Sequence, residues 1–88
     1  MTIAHKITLF GIVLHRLAPY QNRMKPCYEL TIDYKSYTDL TSYINVQWYS
    51  YKNGSISNLQ YRTFKFEYNV SINDFVDEII KALKPYIN

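Results

Sequence analysis

Glycine is nearly missing from this chain, with Gly11 and Gly54 the only two among 88 residues. That scarcity excludes a phosphate-cradling loop built on closely spaced glycines. A single cysteine, Cys27, leaves no internal disulfide, and no paired Cys or His spacing marks a structural metal. Nor does any stretch approach the roughly 20 apolar residues that a membrane span requires. Stability must therefore come from side-chain packing, in one domain over residues 1–88, because the chain is long enough for one core and too short for two. No cofactor is expected.

Acidic residues are absent from the first 28 positions, which carry Lys6, Arg16, Arg23 and Lys25 for a charge of +4. The remaining 60 positions hold six bases against seven acids. This asymmetry favours an acidic or polyanionic partner for the first third of the chain. The apolar run Ile7–Leu14 after Lys6 has the outline of a signal peptide, but His15 and Arg16 close it and no small-x-small cleavage site follows. The sequence reads as an intracellular, soluble protein.

What is abundant is tyrosine, with ten copies, most of them in alternating stretches. A small strand-rich domain cannot conceal that many hydroxyls, so some aromatic faces must be exposed. Phe, Tyr, Met, Ile, Asn and Lys together make 40 residues, whereas Gly, Ala, Arg and Pro make 11. Those proportions follow AT-rich codons and point to a low-GC bacterium, or to a phage, virus or plasmid.

The periodicities predict an α+β fold: an antiparallel sheet of about four strands with one C-terminal helix packed on one face. Ile3, Ile7, Phe10, Leu14 and Leu17 recur at helical spacing, yet the β-branched residues Ile7, Thr8, Ile12 and Val13, together with Gly11, favour a strand over 7–14. Ala18–Pro26, with a proline near each end, reads as a loop. Residues 27–35 alternate, with Tyr28, Leu30, Ile32 and Tyr34 on one side. Ser36–Ser42 reads as a connection in which Leu40 anchors a short turn. Ile44, Val46 and Trp48 then form an apolar row opposite Tyr43, Asn45, Gln47, Tyr49 and Tyr51. Asn53–Gly54 is the signature of a type I′ hairpin. A two-residue loop sets Trp48 against Leu59 and Val46 against Tyr61, but the row Phe64, Phe66, Tyr68, Val70 has the other parity. Either a bulge near Gln60–Thr63 or a longer loop through Ser55–Asn58 must absorb one residue. Ser71 as N-cap, Asp74 three residues on, and the stripe Ile72, Phe75, Val76, Ile79, Leu83 predict a helix that ends at or just before Lys84, ahead of Pro85.

No catalytic constellation is visible, and enzymatic activity is not expected. His5 and His15 are too far apart along an extended strand to share a metal. Cys27 reads as a space-filling residue. The acids Asp74, Asp77 and Glu78 suit the first half of a helix by dipole complementation alone. Two binding surfaces stand out. The row Tyr43, Tyr49 and Tyr51, extended by Tyr61, offers the large, stiff contacts enriched at protein interfaces, although cross-strand pairing accounts for such a row equally well. Arg16, Tyr20, Arg23 and Lys25 interleave cations with a ring, as a groove for single-stranded nucleic acid does, although an ordinary solvated loop has the same look. The expected function is thus a small non-enzymatic protein of a phage, virus or mobile element that binds a host protein or protein–nucleic acid complex, in the manner of anti-CRISPR and other anti-defence inhibitors. Direct nucleic-acid binding and a structural or homodimeric assembly role are the alternatives.

Overall fold

The computed structural model describes residues 2–37, 41–67 and 70–88. Its elements run α1 (Ile3–Gln21), β1 (Tyr28–Ser36), β2 (Ser42–Lys52), β3 (Ser55–Lys65) and α2 (Ile72–Leu83), closed by a 3-10 turn at Lys84–Tyr86. The strands form one antiparallel sheet in the order β1-β2-β3. The α+β class stands, but the described residues form three strands and two long helices in place of about four strands and one helix.

The missing strand is α1. Thr2 caps it by accepting a hydrogen bond from the His5 amide, and its inward side chains are Phe10, Val13, Leu17 and Tyr20, a three-four-three spacing that only a helix aligns. Gly11 costs a helix about 1 kcal/mol. Burying Val13 and Leu17 each contributes about 1.5–3 kcal/mol, so tertiary packing outweighs the local preference. Pro19 falls in the last helical turn, where its missing N–H forfeits one bond to the His15 carbonyl and the helix continues to Gln21. The supposed loop therefore begins at Asn22, not Ala18.

On the sheet, Leu30, Ile44, Val46, Trp48 and Phe64 point to the same side and meet Val13 and Leu17 of α1 and Phe75, Val76, Ile79 and Leu83 of α2. The register shows why: Leu30 stands beside Trp48, Ile32 beside Val46 and Tyr34 beside Ile44, and Ile44 pairs onward with Phe64. Both helices thus cover one face. Helix α2 follows its sequence closely, with the Ser71 hydroxyl accepting from the Asp74 amide at 3.2 Å.

The β2–β3 turn is the two-residue Asn53–Gly54, with φ of 53° and 79°. The parity conflict is absorbed by a bulge, earlier than Gln60–Thr63. Ser50 pairs with Ser57 but Trp48 pairs with Gln60, so Asn58 and Leu59 together stand against Tyr49. Asn58 adopts a φ of 52°, the left-handed conformation that such a bulge uses and Asn tolerates. Trp48 therefore faces Gln60 rather than Leu59, and Val46 faces Arg62 rather than Tyr61. The expected turn at Leu40 and the side chain of Tyr68 lie outside the described residues.

Candidate functional site: the open face of the sheet

Turning Leu30, Ile44, Val46 and Trp48 inward turns the alternate side chains of the same strands away from both helices. The register aligns them in cross-strand rows: Thr31, Gln47, Tyr61; Asp33, Asn45, Thr63; Lys35, Tyr43, Lys65. Tyr61 belongs here because of the bulge. Without the extra residue it would face Val46, on the side that the helices cover.

A shallow depression of about 520 Å³ lies on this face, lined by Tyr37, Tyr43, Tyr61 and Leu59 among apolar groups and by Asn45, Gln47 and Lys35 among polar ones. The Tyr37 and Tyr43 rings meet edge-on at 5.6 Å, and the Thr63 hydroxyl donates to Asn45 Oδ1 at 3.3 Å. Tyr61 is 59% exposed and Tyr51 42%, with Leu59 and Ile56 also uncovered nearby. Asn45 is only 8% exposed and forms the floor, so the rings and the half-buried Gln47 amide are what this surface presents: it excludes water while still offering a donor and an acceptor.

The four tyrosines singled out from the sequence all lie on this side, but not equally. Tyr43 is half-buried and Tyr49 is only 8% exposed, which corrects its expected exposure. Tyr49 stands against Tyr51 edge-on at 5.4 Å and beside Glu29 on β1. The Tyr51 phenol is pushed up from 10.0 to about 12, first by its hydrogen bond with the Tyr49 side chain and next by that with Glu29. Tyr37, Gln47 and Asn45 were not singled out as site residues. For the last two, shared parity with Tyr43 was the available signal; for Leu59, which the bulge delivers, there was none.

The basic group sits elsewhere. Arg16 donates to Asn73 Oδ1 at 2.6 Å and pairs with Asp77 at 3.5 Å. Arg23 donates to the Asn88 carbonyl at 2.7 Å and lies over the Tyr20 ring at 5.8 Å. Lys25 donates to the Pro85 carbonyl at 3.1 Å. These cations tie the end of α1 to α2 and to the chain's last residues, while Tyr20 packs against the core. Cys27 is exposed, not space-filling, and holds a φ of 69° at the entry to β1.

Comparison with protein-family models, curated proteins and solved structures gave no match. Fold and surface define an α+β domain with one helix-covered and one open sheet face. Among the described residues no helix is long and apolar enough to cross a membrane.

Proposed function

We propose that this chain is a non-enzymatic binding protein, carried by a phage, virus or mobile element, whose open sheet face captures a host macromolecule and inhibits or modulates it. A defence or replication protein is the target class proposed. The observation that carries this reading is the clustering of Tyr37, Tyr43, Tyr61, Leu59 and the Gln47 amide, over a buried Asn45, on the side of the sheet that neither helix covers. A patch of rigid aromatics and a neutral amide with few charges at its centre matches the composition of protein-interface cores more closely than that of phosphate-binding grooves. The nucleic-acid reading has less support, since Arg16, Arg23 and Lys25 are engaged within the chain and away from the tyrosines.

Affinity capture from a low-GC bacterial lysate, run with and without nuclease, separates the two. Capture of a protein partner is expected to survive nuclease and to be lost in Tyr61→Ala, whose stability stays within about 1 kcal/mol of the parent because the ring is exposed. Capture that nuclease abolishes, or that Tyr61→Ala leaves intact, overturns the proposal.

A further inference from the structure

The end of the β2–β3 hairpin has a chemistry of its own. Asn53 and Gly54 form its two-residue turn, with positive φ at both positions, and every residue from Tyr51 to Ile56 is exposed. Neither the Asn53 carboxamide nor the Gly54 amide has a hydrogen-bond partner among the described residues. Gly54 carries no side chain, and even an added Cβ would meet nothing within 4 Å. A free carboxamide thus stands next to an unhindered backbone nitrogen. Asparagine is among the thermolabile residues for the reason that this pairing makes acute.

We propose that Asn53 is a site of spontaneous modification, converted to aspartate and isoaspartate by its own neighbour, with water as the only co-reactant. The Gly54 nitrogen gives up its proton to solvent and attacks Asn53 Cγ. The N–Cγ bond forms, the Cγ–Nδ2 bond breaks, and ammonia leaves after taking up a proton, so that a five-membered imide remains. Water then adds to one of the two ring carbonyls: opening at Cγ gives aspartate, and opening at the Asn53 backbone carbonyl carbon gives isoaspartate. No electrons are gained or lost.

Ring closure requires the peptide between the two residues to rotate out of the turn, and the fold leaves that end of the hairpin easy to open. Beyond the Ser50–Ser57 pair it is held by Tyr51–Ile56 and Lys52–Ser55, and none of these four residues is buried. Such pairs open locally at far lower free energy than the core does. The other described asparagines lack the combination. Asn45 is buried, Asn58 Nδ2 donates to Ser50 Oγ at 3.4 Å and precedes Leu59, Asn73 Oδ1 accepts from Arg16, and Asn22 precedes Arg23. Conversion sets a carboxylate beside Lys52, and isoaspartate adds a methylene to the backbone of a turn built for two residues. It therefore alters the Tyr51 end of the open face, and it is independent of what that face binds.

The test is incubation of the full chain at neutral to mildly alkaline pH, followed by digestion at mildly acidic pH and mass spectrometry. The peptide holding Asn53 and Gly54 is expected to gain about 1 Da and to separate into two products of equal mass. Asn22, whose following residue has a side chain, is expected to change at least about tenfold more slowly. Asn53→Gly, which keeps the positive φ without strain, abolishes the gain. Because the opening is local, Leu17→Ala weakens the core but leaves the rate within about twofold. Three results would each overturn the proposal: an Asn53 that stays unmodified while the same segment converts as a free peptide, an Asn22 that changes as fast, or a rate in Leu17→Ala that rises in step with its lost stability.

Discussion

Tyr51 shows how far neighbours alone can bias one side chain. Its phenol gains from the Tyr49 and Glu29 side chains only while protonated, and this holds its pKa near 12 in the folded chain against 10.0 unfolded. Below about pH 10 both states keep the proton and the contribution is complete. Between pH 10 and 12 the unfolded chain releases a proton that the folded chain retains, so stability falls as pH rises through that window. Because Tyr51 is exposed, solvent screens most of this contribution, and absorbance is the better readout. Spectrophotometric titration is expected to show the Tyr51 phenol titrating late, brought down further by Tyr49→Phe than by Glu29→Gln. An unchanged midpoint in Tyr49→Phe would refute the assignment. At this scale the sequence was readable where chemistry is local: Asn53–Gly54 announced a turn with both φ values positive, and Ser71 announced a helix cap. It was not readable at Tyr49, whose neighbours in the sheet are Glu29 on β1 and the bulge in β3, both distant in the chain.

Among the elements, the bulge at Asn58–Leu59 decides what the sheet displays. It shifts β3 by one residue, which sends Phe64 into the core and Tyr61 onto the open face. The tolerance of Asn for a φ of 52° makes this possible. Asn58→Val, with a β-branched side chain forced into the left-handed region, is expected to lose about 1–2 kcal/mol relative to Asn58→Gly in denaturant unfolding. Equal stabilities would mean that the bulge is held by something other than Asn58. That an extra residue had to be absorbed was legible from the parity of Phe64; its position was not, because strand pairing accommodates a bulge anywhere that the backbone permits. Helix α1 failed for a related reason. Ile7, Thr8, Gly11 and Ile12 argue locally for a strand, and only the opposing surface of Leu30, Ile44 and α2 makes the Phe10, Val13, Leu17 stripe worth burying.

The whole molecule is a thin plate, 41 × 25 × 17 Å, with a radius of gyration of 13.8 Å, above the roughly 12 Å of a compact domain of this size. Two layers bury one face of a sheet and leave the other to solvent, so the tyrosine face is a consequence of the architecture as much as of composition. All elements share one core, and damage to any of them is felt everywhere. Leu17→Ala, which removes a fully buried side chain of α1, is expected to cost about 2–5 kcal/mol out of a total of about 4–13. Helical ellipticity and Trp48 fluorescence should then melt together at a lower midpoint. Loss of α1 signal with the Trp48 transition unmoved would show that α1 docks as a separate unit.

By itself the sequence determined the faces of β1 and β2, the Asn53–Gly54 turn and the capped, amphipathic α2. In each of these, the deciding interactions lie within a few residues of one another. Tertiary structure alone decided that α1 is a helix, that β3 slips at Asn58, that Tyr61 joins Tyr43 on the open side, and that Arg16, Arg23 and Lys25 bind the chain's own far end. Each of those outcomes depends on groups distant in the chain, and local preferences of about 1 kcal/mol yield to the larger free energy of burying side chains between layers.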